Sequence, residues 1–222
     1  MRTRIAVLAS GAGSNLEAIL AHVADVGFEP RGAVSLVASD RADAGALVIA
    51  ARHGVTTATI DDPRAAESLL ALLTDHDIDL VVLAGYLKRV PDLVTQYYRG
   101  RLLNVHPALL PAFGGPGMYG NRVHQAVLDA GVRVSGVTVH FVDEQFDHGP
   151  IVAQWPVPVH VGDTIVTLAA RVLRAEHRLY PPAVVAVANG RVTLDPQGKV
   201  IGEVGAPVRS PMFHLQPEES QQ

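Results

Sequence analysis

The sequence predicts an α/β fold with a doubly wound, mostly parallel sheet and an antiparallel C-terminal part. From Ile5 to Val105, short apolar runs alternate with amphipathic helical patterns. That alternation is the mark of parallel strands joined by crossover helices. Further on, two strand-like runs, Val134 to Val142 and Ile151 to Val159, flank a turn containing Asp147, His148 and Gly149. Such a turn favours Asp and Gly and reads as a hairpin.

Composition narrows the function classes. The chain has 222 residues, 48% of them apolar, enough for a substantial core. Its net charge of −4 argues against a broad nucleic-acid surface, which would be basic, but leaves room for a local phosphate pocket. There are no cysteines, so disulfides, thiolate metal sites and a thiol nucleophile are excluded. No run approaches the length of a membrane span. The first apolar run is too short for a signal-peptide core, so the expected location is the cytoplasm.

Ile5 to Ala9 reads as a buried first strand. Ser10-Gly11-Ala12-Gly13-Ser14-Asn15 follows, then a helical pattern of Leu16, Ile19, Leu20 and Val23. A glycine turn between strand and helix presents free backbone N–H groups at the helix N-terminus, which suits a phosphate. Gly11 and Gly13 match the start of a dinucleotide fingerprint, but Leu16 stands where its third glycine belongs. A monophosphate is therefore the better fit. Ala33 to Ala38 is a second strand, Asp43 to Ala51 a short helix and Val55 to Ile60 a third strand. Asp62-Pro63 is expected to open the next helix, with Asp62 as its N-cap and Arg64 in its first turn. A cation there opposes the helix dipole, which hints at a ligand.

Asp79 to Ala84 is the most apolar strand of this half, and Gly85 to Pro91 forms the loop at its carboxyl end. Open α/β sheets bind ligands at such ends. Pro91 to Tyr98 is a short helix. The next strand, Leu102 to Val105, leads into His106-Pro107 and carries Asn104 and His106 two positions apart. Extended chain points them to one side, and Pro107 ends the strand. An amide donor and an imidazole at the end of a buried strand are the parts of an active site. Ala112 to Asn121 holds four glycines and a proline in ten residues and reads as a mobile loop. A helix from about Arg122 to Ala130 precedes the two later strands, and His140 lies in the first of these. Asp163-Thr164 caps a long helix reaching Tyr180, where Pro181-Pro182 is expected to break it. Arg191 to Leu194 is expected as a final edge strand.

Together these stretches resemble the phosphoribosylglycinamide formyltransferase family. The resemblance runs from Ile5 to about Pro182 and rests on residues 11–16, 82–86, 103–111, 139–142, 147–150 and 176–181 in this order and spacing. It implies a single Rossmann-like formyltransferase domain over 1–206. From Pro207 the chain becomes Pro- and Gln-rich, and 207–222 is expected to be a loose tail. The resemblance implies transfer of the formyl group of 10-formyltetrahydrofolate, a co-substrate, to the amine of glycinamide ribonucleotide, with no metal. By resemblance, Asn104, His106 and Asp147 are catalytic. Gly13, Ser14, Asn15 and Glu176 hold the ribonucleotide. Arg64, Leu87, Lys88, Arg89, Val90 and Asn104 contact the folate. Folding is expected to bring the Asp147 carboxylate against His106, where it favours a charged imidazole. The family often has Met-Arg-Ile-Leu where this chain has Leu87-Lys88-Arg89-Val90, and Lys88 replaces a planar fork with a point charge. The loop after Pro111 is longer than usual and lacks a histidine found there. Small-molecule substrates, no nucleic acid or membrane, and a monomer or homodimer are expected. The alternatives are a formyl-folate hydrolase or an enzyme with another amine acceptor, a nucleotide-dependent oxidoreductase, and a non-catalytic ribonucleotide-binding protein.

Overall fold

A computed structural model describes residues 3–25 and 32–205. The tail expected at 207–222 lies outside the described residues. The elements run β1 (Thr3–Leu8), α1 (Ser14–Asp25), β2 (Gly32–Ser39), α2 (Gly45–Arg52), β3 (Thr56–Thr59), α3 (Ala66–Asp75), β4 (Leu80–Leu83), α4 (Asp92–Tyr97) and β5 (Leu102–His106). Then come α5 (Asn121–Asp129), β6 (Val134–Phe141), β7 (Ile151–Pro158), α6 (Ile165–Ala188), β8 (Val192–Leu194) and β9 (Val200–Gly202).

Seven strands form one sheet in the order β3-β2-β1-β4-β5-β6-β7. The first five are parallel, and β6 and β7 join antiparallel. The fold is thus the doubly wound, mostly parallel sheet with an antiparallel C-terminal part that the sequence predicts. The chain runs outward from β1 to β3 and then returns to β1's other side. This reversal opens a crevice at the carboxyl ends of β1 and β4, where such sheets hold ligands.

Period-two alternation builds two cores from the same strands. Ile5, Val7 and Ala9 face one core with Leu16 and Ile19 of α1, Ala46 and Ala50 of α2, Val127 of α5 and a long stretch of α6. Ala6 and Leu8 face the other, with Leu69 and Leu73 of α3 and Val94 of α4.

Three expectations are corrected. Pro181 and Pro182 lie inside α6, which continues to Ala188. A proline costs a helix interior about 3 kcal/mol, yet Leu179, Tyr180, Val184 and Val185 are buried around the pair. Fully burying a large apolar side chain contributes about 1.5–3 kcal/mol, so packing outweighs the lost N–H donors. Arg191 to Leu194 is not an edge of the main sheet, because β8 pairs with β9 in a separate two-stranded sheet. Asp62 does not cap a helix. It accepts the Arg64 backbone N–H at 3.0 Å, and α3 starts later, at Ala66. Its side chain closes a local turn that competes with the helix start.

Tyr180 fastens α6 to the sheet under the crevice. Its buried hydroxyl lies 3.0 Å from the Leu83 carbonyl and 3.2 Å from that of Leu103, at the ends of β4 and β5. Burial raises its pKa well above the ordinary value, so it stays a donor. Tyr180→Phe should lower unfolding free energy by about 1–2 kcal/mol, read as a lower urea midpoint with unchanged slope; an unchanged midpoint would show that the hydroxyl is not a fastener.

Candidate active site

The end of β5 places Asn104 half-buried and His106 only 3% exposed. Antiparallel register sets Asn104 opposite His140 and His106 opposite Thr138. The Asn104 amide nitrogen is 3.1 Å from His140 Nε2, and His140 Nδ1 is 2.8 Å from the Phe141 carbonyl. A carbonyl only accepts, so Nδ1 carries the His140 proton and Nε2 accepts from Asn104. Burial supports this neutral form by lowering the His140 pKa below 6.5, against the Phe141 carbonyl and the Asp147 carboxylate.

Asp147 comes from the β6–β7 turn. Its φ of 54° lies in the left-handed region, a conformation that Asp tolerates better than most residues. The turn closes tightly, because a Cβ on Gly149 would meet the Phe141 carbonyl oxygen at 1.9 Å. The carboxylate, 11% exposed, sits 3.5 Å from His106 Nδ1 and 3.8 Å from His140 Nε2. It also accepts the Gly115 backbone N–H at 3.0 Å. His106 Nε2 lies 2.8 Å from the Phe113 carbonyl. Both nitrogens of His106 therefore face acceptors, and a ring protonated at both satisfies them. One carboxylate thus lies between two imidazoles.

The glycine turn lies at the carboxyl end of β1. Gly13 has φ 87°, and a Cβ there would approach Ala46 Cα to 2.8 Å, so the loop sits hard against α2. It opens α1 at Ser14, where first-turn N–H groups are free to bind an anion. Asn15 donates to Glu176 Oε2 at 2.6 Å across to α6, and its own Oδ1 is buried with no partner among the described residues. Burial raises the Glu176 pKa, with the Asn15 hydrogen bond opposing. Ser10 joins this turn to the loop after β4. Its backbone N–H donates to Gly85, and its hydroxyl accepts from the Leu87 N–H.

A cleft of roughly 280 Å³ brings many of the expected residues together. Asn104, His106 and Asp147 line it, as do Asn15, Glu176 and the whole of Leu87, Lys88, Arg89 and Val90. Gly13 and Ser14 do not line it, although they shape the turn that carries Asn15. Arg64 also lies outside it. Its side chain is 91% exposed and is paired with Asp62 at 3.2 Å. His140 and Gly115 also line the cleft. In sequence His140 belongs to the 139–142 stretch of the resemblance with no role assigned to it, and its contact with Asn104 follows from the β5–β6 register, which one chain's periodicity does not supply. Among the described residues, no group of three or more His, Cys, Asp or Glu could hold a metal. Nor is any helix among the described residues long and apolar enough to cross a membrane.

Burial lowers the pKa of His124 and His177 as well as His140 from 6.5. The unfolded chain therefore binds protons that the folded chain refuses between 6.5 and the lowered values. Stability is full above that window and falls as pH drops through it. The urea midpoint should fall between pH 7 and pH 5, and His124→Gln should flatten that slope; an identical slope in the variant would contradict a neutral buried His124.

A family model described as formyl transferase matches residues 3–184. The chloroplastic phosphoribosylglycinamide formyltransferase of Arabidopsis thaliana is 41% identical over 86% of this chain and 67% of its own length. The phosphoribosylglycinamide formyltransferase of Escherichia coli is 38% identical over 86% of this chain and 89% of its own. The chain spans 62% of the Vigna unguiculata relative and 20% of the human trifunctional purine biosynthetic protein adenosine-3. Among solved structures, phosphoribosylglycinamide formyltransferase from Anaplasma phagocytophilum superposes with a TM-score of 0.82 at 35% identity, covering 95% of this chain and 98% of its own.

Proposed function

This chain belongs to the formyl transferase family, and we propose that it moves the formyl group of 10-formyltetrahydrofolate to the amine of glycinamide ribonucleotide, as in purine biosynthesis. The observation that carries the residue roles is the meeting of Asn104, His106 and Asp147 in one cleft with Asn15, Glu176 and the Leu87–Val90 loop.

The amine attacks the formyl carbon and an oxyanion forms on the tetrahedral centre. Asn104 has two amide hydrogens. One is held by His140, which aims the other at the developing charge, the kind of preorganised donor that stabilises an oxyanion. His106, charged beside Asp147, supports the same charge and gives a proton to the folate nitrogen as its bond to carbon breaks; Nδ1, 3.5 Å from Asp147, is the nitrogen that turns to the substrate, while Nε2 stays on the Phe113 carbonyl. Asp147 steadies the imidazolium and takes the proton that the attacking amine loses, directly or through water. The formyl group passes from nitrogen to nitrogen, and no enzyme nucleophile is needed.

The phosphate is assigned to the turn of Gly13, Ser14 and Asn15 at the start of α1, where N–H groups and the helix dipole favour an anion. Glu176 and the free Oδ1 of Asn15 accept from hydroxyls of the ribonucleotide. Leu87, Lys88, Arg89 and Val90 are assigned to the folate. Arg64 keeps a place in this reading only for an outer part of the folate, since it stands apart from the cleft. The reading takes residues 1–206 as one domain, acting in the cytoplasm on small molecules as a monomer or homodimer.

Purified protein mixed with both substrates should release deformylated folate, followed by absorbance, only when the ribonucleotide is present. Release without acceptor would make water the acceptor and the chain a hydrolase. Asp147→Asn should cut kcat by about 10²–10⁴-fold, the usual range for an acid–base group, with ribonucleotide Kd nearly unchanged; near-normal turnover would remove Asp147 from the chemistry. Ser14→Ala with Asn15→Ala should weaken ribonucleotide binding far more than folate binding. An equal loss for both ligands would rule out a phosphate site in that turn.

A further inference from the structure

Asp40 plays no part in the chemistry above, yet it is buried next to a loop that does. Its side chain is 4% exposed, and its Oδ2 lies 3.6 Å from Lys88 Nζ, whose own side chain is 52% exposed. The other oxygen, Oδ1, is buried without a hydrogen-bond partner among the described residues, and so is the hydroxyl of Tyr86. A carboxylate is costly to bury unless something nearby needs its charge.

Position supplies the reason. Asp40 directly follows β2, and Lys88 lies in the loop after β4, so the pair reaches across the end of β1, which stands between those strands. Other residues of the loop are tied elsewhere. Leu87 donates its N–H to Ser10, beyond the end of β1. Arg89 donates to the Glu144 carbonyl at 2.9 Å, in the β6–β7 turn, and pairs with Asp92. Asp40 is the ion-pair partner of Lys88 among the described residues. It completes a three-sided mooring of a segment whose residues all line the cleft. The lysine is thus turned towards a carboxylate of its own protein.

We propose that Asp40 is a positioning residue, which through Lys88 fixes the Leu87–Val90 backbone and thereby sets affinity for the folate without touching it. The inference rests on the folate reading of that loop. Removing Lys88 strands a buried carboxylate, whereas removing the charge of Asp40 leaves only a solvated ammonium, so the two losses are unequal.

The test compares Asp40→Asn, Lys88→Met and the double variant with the wild type, by hydrogen exchange of the 87–90 amides and by calorimetric titration with tetrahydrofolate. Both single variants should exchange faster at these amides. The tetrahydrofolate Kd should rise about threefold in Asp40→Asn and about tenfold in Lys88→Met, with the double variant returning close to Asp40→Asn. The ribonucleotide Kd should stay within about twofold, which a general loss of structure would not respect. Unchanged exchange in both single variants overturns the proposal. So does a double variant no better than Lys88→Met, or an equal loss for both ligands. If the wild type binds no tetrahydrofolate, the folate reading falls, and the exchange rates alone still decide whether Asp40 moors the loop.

Discussion

Everything at the site depends on one strand pairing, the antiparallel seating of β6 on β5. That register sets His140 against Asn104. It also launches the turn that carries Asp147 to within 3.5 Å of His106. A shift of one residue would send every side chain of β6 to the opposite face. His140 would leave Asn104, and the carboxylate would lose its place. The two cores then act as clamps. Val105 of β5 and Val137 and Val139 of β6 are buried in the same cluster, so sliding one strand along the other would expose apolar surface as well as break the polar contacts.

The polar arrangement works because each imidazole meets a different environment. His140 has a carbonyl at one nitrogen and an amide at the other, and burial keeps it neutral. His106 has a carbonyl at one nitrogen and a carboxylate at the other. The Phe113–Gly115 segment takes part directly, since its carbonyl and its N–H engage His106 and Asp147 in turn. The glycine-rich loop is therefore more than a connection between β5 and α5.

Much of the fold is legible in the chain. Near-continuous apolar strands, glycine turns and amphipathic helical patterns identify the parallel half, because there each local preference agrees with burial. The strand end bearing Asn104 and His106 is legible too, since i and i+2 share a face. What the chain hides is what depends on distant packing. Nothing local says that the prolines at 181 and 182 are overruled by buried neighbours. The contact of Asn104 with His140 spans 36 residues and exists only once two strands have found their register. Lys88 reads as a ligand residue from its loop, and only the folded chain brings Asp40 beside it.

The strand order has one more consequence, for the way the protein is made. With the order β3-β2-β1-β4-β5-β6-β7, every strand of this sheet that leaves the ribosome after β1 joins an edge that already exists. None has to wedge between two strands already paired. The sheet can thus accrete in the direction of synthesis, first to one side of β1 and then to the other, as domains that fold N-terminal first require. His140 and Asp147 arrive late in this sequence. A nascent chain that stops short of β6 would carry Asn104 and His106 without either of them, and one face of its sheet would still await α6.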